Sequence, residues 1–115
     1  MKITERLIGD VVVLDLEGKM TLGEGDEDFE ERVKQLVRAG QRKIVINGAD
    51  QSYIDSSGLG AISRSYTCVA RSGGSLKLLK PTQRVMDLLA ITKLLTVFEI
   101  YEHEAQAIDS FSTAT

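Results

Sequence analysis

Apolar residues change their period several times along the chain, and each change marks an element. VVVLDL, Val11 to Leu16, is a β-branched run bounded by Gly9-Asp10 and Gly18, so it reads as a strand. KITERLI before it is expected to be its hairpin partner, with Gly9-Asp10 as the two-residue turn. After GKMTLGEG the spacing becomes helical: Phe29, Val33, Leu36 and Val37 share one face. Asp26, Glu27 and Asp28 load the start of that helix with negative charge. Arg32, Lys34 and Arg38 load its end with positive charge, and Gly40 supplies the stop. A calcium loop would need ligands alternating over about twelve residues and a closing Glu, a spacing that EGDED lacks.

KIVIN, Lys43 to Asn47, is a continuous apolar run of the kind covered on both faces, and QSYI leads from it into a polar junction. Leu59, Ile62, Tyr66, Val69 and Ala70 then recur at helical spacing until Gly73-Gly74. SLKLL follows as a strand halted by Pro81; Val85, Leu88 and Leu89 mark a short helix. TVFEIY reads as a last strand, and Ala105, Ile108 and Phe111 as a terminal helix. The order β-β-α-β-α-β-α-β-α predicts an α/β fold: a mixed, mostly parallel sheet of five strands, four helices and an N-terminal β-hairpin. No repeat, linker or low-complexity segment interrupts it, so one domain over residues 1–115 is expected.

Composition narrows the function. Net charge is −3 with both signs interspersed, which leaves no electrostatic footprint for nucleic acid. No basic amphipathic segment suggests a membrane surface, and no apolar run approaches the roughly 20 residues needed to cross a bilayer. The stretch MKITERLIGD lacks the apolar core of a signal peptide, and the one cysteine, Cys68, has no internal partner. A cytoplasmic location is the expectation. Cys68 lies mid-helix beside Val69 and is expected to be a small buried hydrophobe.

The chemistry concentrates in YIDSSGLGA, residues 53 to 61, where a carboxylate and two hydroxyls meet at one junction. Three roles compete for them: a nucleophilic serine, a phosphate-binding loop, or a helix cap that a partner enzyme modifies. A nucleophile elbow needs glycines two residues on either side of its serine, and Ile54 stands where the first should be. The order Ser56, Asp87, His103 does mimic a hydrolase triad, but a lone histidine near a helix start is usually a solvated cap. GLGA does not continue to G-x-x-G, no G-x-x-x-x-G-K-[ST] occurs, and one His and one Cys far apart make no metal site. No cofactor is expected. The third role fits the local physics: a serine at a helix start caps a backbone N–H for about 1 kcal/mol. The same geometry tolerates a phosphate, which would meet unpaired N–H groups and the positive helix end. Gly58 and Gly60 would allow close backbone approach.

YIDSSGLGA, followed a helix later by GG and then by LLKPTQRVMDLLAITKLLTVFEIYEHEAQAI, resembles the STAS domain of bacterial anti-sigma-factor antagonists. The likeness runs from Val11 to Phe111, and D-S-S-G-L-G after a strand is specific to it. The resemblance implies a regulatory switch rather than an enzyme, with Ser56 as phosphoacceptor. Asp55, Ser57, Gly58, Leu59, Gly60 and Thr21 would form the surrounding partner-binding loops. The implied partners are a serine-kinase anti-sigma factor of the GHKL ATPase type, bound when Ser56 is unphosphorylated, and a cognate phosphatase. Thr21 stands where family members place an aspartate in a G-x-x-D pattern, a departure that bears on which kinase binds and not on the fold. The alternative within the same resemblance is a STAS subunit regulating a membrane transport system, such as a lipid ABC transporter, without phosphorylation.

Overall fold

The computed structural model describes residues 1–112. β1 (Lys2–Ile8) and β2 (Val11–Met20) form the hairpin, followed by α1 (Asp26–Arg38), β3 (Lys43–Ile54), α2 (Ser56–Arg71), β4 (Ser75–Leu79), α3 (Gln83–Ile91), β5 (Ile100–Tyr101) and α4 (Glu104–Asp109). The strands lie in sequence order, β1-β2-β3-β4-β5. β1 pairs antiparallel with β2, and every later pair is parallel. Each parallel step is bridged by a helix, as crossover geometry requires.

Strand alternation sends side chains to two covered faces. Val12, Leu14 and Leu16 of β2 and Ile44 and Ile46 of β3 meet Phe29 and Val33 of α1, Leu59, Ile62 and Val69 of α2, and Val85 and Leu89 of α3. On the other face Val11, Val13, Val45 and Leu79 meet Ala107 of α4, with Ile108 and Phe111 packed beside it. Lys77 is buried on that second face, where its Nζ donates to Ser110 Oγ at 2.7 Å and lies 4.2 Å from the centre of the Phe111 ring. Arg6 of β1 pairs both Asp15 of β2 and Glu104 of α4, tying the last helix to the hairpin.

Two elements differ from the sequence reading. The six-residue strand expected over TVFEIY shrinks to Ile100–Tyr101. Val97 N instead donates to Leu94 O in a turn, and Phe98 is buried edge-to-face against Tyr66, ring centres 5.0 Å apart. The first part of this run supplies a core residue, and only Ile100–Tyr101 pairs, with Leu78 and Leu79 of β4. β3 in turn extends past KIVIN to Ile54, so QSYI is strand, accommodated by register shifts against Asp15–Glu17 and Gly18–Lys19. Cys68 also departs from expectation. It is only half-buried and lines an open groove with Ser63, Arg64, Thr67 and Arg71, because its position falls at the edge of the face that Ile62 and Val69 turn to the sheet. Among the described residues no helix is long and apolar enough to cross a membrane.

Candidate functional site

β2 and β3 run side by side and end together, Met20 opposite Ile54, so the loop after β2 and the start of α2 meet at the same edge of the sheet. Asp55 is the cap of α2. Its backbone is extended, and its Oδ1 accepts from Gly58 N at 2.8 Å while its carbonyl accepts the first helical bond from Leu59 N. The second carboxylate oxygen reaches across to the neighbouring loop and accepts from Leu22 N at 3.1 Å. The backbone N–H of Gly58, aided by those of Leu22 and Ser57, holds the Asp55 carboxyl below the usual carboxylate range.

The capping role foreseen for a serine therefore goes to the aspartate, whose two oxygens reach N–H groups of two different segments at once. Ser56 becomes the first residue of the helix. It is exposed, and its hydroxyl makes no hydrogen bond to any described residue. Ser57 is half-buried beside it. Gly58 is buried where no larger residue fits: a Cβ there would lie 2.2 Å from Met20 O and 2.7 Å from Ile54 Cγ1. This close approach brings the α2 start against the end of β2, and Leu59 anchors the first turn in the core. Gly60 is different, because the atoms nearest a Cβ there belong to the Arg64 guanidinium and not to backbone.

Thr21 sits in a tight turn in which Thr21 and Glu24 exchange backbone hydrogen bonds, both 2.9 Å. The Thr21 hydroxyl is 3.5 Å from a Glu24 carboxylate oxygen, so Glu24 carries the negative charge of this turn. Asp26, buried at the start of α1, accepts from Gly23 N and Glu27 N and fixes the far side of the same loop. Three neighbours of the junction were not singled out in the sequence. Leu22 is 77% exposed and Tyr53 42% exposed, and Arg84 of α3 packs on Tyr53. A solitary exposed-type apolar residue in a glycine-rich loop and an aromatic ending a strand were the available signals for the first two. Arg84 had none, since its contacts lie 30 or 31 residues away in sequence.

The hydrolase arrangement does not form. α2 and α3 pack on one face of the sheet, whereas exposed His103 begins α4 on the other, and Asp87 accepts from Gln83. Among the described residues no group of three or more His, Cys, Asp or Glu is placed to hold a metal ion.

The STAS domain profile matches residues 2–107 of the chain. The chain belongs to the STAS domain family. A Thermotoga neapolitana protein named as an anti-sigma factor antagonist is 30% identical over 105 residues, spanning 90% of this chain and 92% of its own length. The crystal structure of an anti-sigma factor antagonist from Thermotoga maritima superimposes with a TM-score of 0.87 at 27% identity, covering 94% of this chain and 92% of that one. The Bacillus cell fate determinant SpoIIAA, solved in its phosphorylated form, shares the fold at a TM-score of 0.77 and 20% identity, covering 96% of this chain and 99% of that one. The five-stranded mixed sheet, four helices and N-terminal hairpin are thus the STAS architecture.

Proposed function

We propose that this STAS domain is an anti-sigma-factor antagonist working in the cytoplasm as a phosphorylation-controlled switch. Unphosphorylated, it binds a serine-kinase anti-sigma factor of the GHKL ATPase type through the surface around the α2 start. Phosphorylation of Ser56 releases that partner, and a cognate phosphatase restores binding. The single observation that carries the reading is the division of labour at the junction: Asp55 caps the helix, so exposed Ser56 is spared from structural duty. The names of the Thermotoga relatives support the antagonist role. The protein is here a substrate rather than a catalyst. The Ser56 oxygen takes the terminal phosphoryl group of a nucleoside triphosphate held by the partner, a P–O bond forming as the bond to the nucleoside diphosphate breaks. The hydroxyl proton passes to a base of the partner.

A phosphate at Ser56 adds close to two negative charges at pH 7 beside Asp55. Leu22 and Tyr53 offer apolar contact area around it, and docking there strips water from any charge left unmatched. The test is phosphorylation by a purified GHKL-type kinase encoded with this protein, followed by mapping of the modified residue by mass spectrometry. Phosphate on Ser56, and its loss in Ser56→Ala, is the expected result. Phosphate on another residue, or none in a stable complex, would overturn the assignment.

A further inference from the structure

Arg84 of α3 is held against the two residues that end β3, just before Asp55 and Ser56. Its Nε donates to Ile54 O at 3.2 Å, and its Nη2 donates to Tyr53 Oη at 3.1 Å. The guanidinium carbon stands 4.9 Å from the centre of the Tyr53 ring, within cation–π range. Arg6, Arg32, Arg38 and Arg64 each hold a carboxylate. Arg84, among the described residues, holds only these uncharged acceptors. A guanidinium has five N–H donors in a planar fork, so the Nη1 pair and one Nη2 hydrogen stay available here.

Only Asp55 separates Ile54, which Arg84 touches, from Ser56, and two Cα steps span at most about 7 Å. Two charges reach the chain just before Ser56 from different elements. Asp55 turns its carboxylate toward Leu22 and the β2–α1 loop, whereas Arg84 approaches from α3. A phosphate on Ser56 would be repelled by the Asp55 carboxylate and attracted by the open, charge-assisted donor fork of Arg84. We infer that Arg84 is the built-in receptor for the Ser56 phosphate, drawing it toward α3 and across Tyr53. This rests on Ser56 as phosphoacceptor and adds to it a direction and a residue. The phosphorylated surface then differs from the bare one by a phosphate paired with Arg84, beside the Tyr53 ring that this guanidinium already covers.

The experiment uses full-length protein with phosphoserine inserted at position 56 during translation, so no kinase is required and the outcome is independent of whether a kinase partner exists. Failure of kinase phosphorylation would count against the proposed function, while the result below would stand by itself. The other charged groups near the junction, Asp55, Glu24 and Asp87, are the same in every sample. The second ionisation of the phosphate is followed by ³¹P NMR against pH. In Arg84→Gln it should move up by about half a unit or more relative to the parent, and Arg84→Lys should recover part of the difference. Equal titrations for parent and Arg84→Gln would overturn the inference. A second readout needs no variant: the Arg84 guanidinium ¹H–¹⁵N signals should shift when Ser56 is replaced by phosphoserine, while those of Arg64, already paired with Glu30, should not. Unmoved Arg84 signals would overturn it equally.

Discussion

Asp55 and Ser56 are adjacent polar residues with opposite duties, one bound to the backbone and one left to solvent. Replacing Asp55 by Ala removes the acceptor for Gly58 N and Leu22 N and should cost about 1–2 kcal/mol, read from urea midpoints. The pH dependence has a definite sign. Because the folded state lowers the Asp55 pKa from its ordinary 3.8, its stabilisation is complete above that value and disappears as pH falls through the lower folded value. The stability gap between parent and Asp55→Asn should therefore be constant near neutral pH and close only below about 3.8; a gap that narrows between pH 7 and 5 would contradict the assignment. The serine pair was legible as a helix start, but not which of three adjacent cap-type residues does the capping. Asp and Ser cap equally well in isolation, and the choice depends on Leu22 N, supplied from another loop. Tyr53 and Arg84 were hidden for the same reason, since stacking across two elements leaves no local pattern.

α2 carries the candidate site, and its register carries the fold. Ile62 is buried between the helix layer and the sheet, while Ser63 is half-buried with a hydroxyl oxygen that has no partner among the described residues. Ile62→Ala should cost roughly 2–5 kcal/mol. Ser63→Ala, which removes an unpaired polar atom, should change stability by less than about 1 kcal/mol. Similar denaturation midpoints for the two variants would show that the helix turns a different face to the core. α1 and α2 were readable because amphipathic spacing persists over several turns, and the hairpin because its turn is short. The last strand was expected too long because a brief apolar run looks the same whether it pairs or, as with Phe98, merely fills a core. The end of β3 was hidden because Gln51 and Ser52 break the apolar pattern exactly where the parallel ladder is shifting register.

For the molecule as a whole, phosphorylation should leave the fold intact. The helix start favours the phosphate and Asp55 opposes it, each on the order of 1 kcal/mol at an exposed site, against a domain stability of roughly 5–15 kcal/mol. The thermal midpoint of the phosphorylated protein should stay close to that of the bare protein. A fall of more than about 10 °C, which means over 1 kcal/mol lost for a chain this size, would show a switch that works by unfolding. On the proposed reading a kinase partner would meet a harsher balance, because binding removes the water that screens the new charge. The most direct measurement is calorimetric titration of the kinase with Ser56→Ala and Ser56→Asp. Charge control predicts that the Ala variant binds as the unphosphorylated protein does and the Asp variant at least about tenfold more weakly, a difference of about 1.4 kcal/mol. Equal affinities would contradict it.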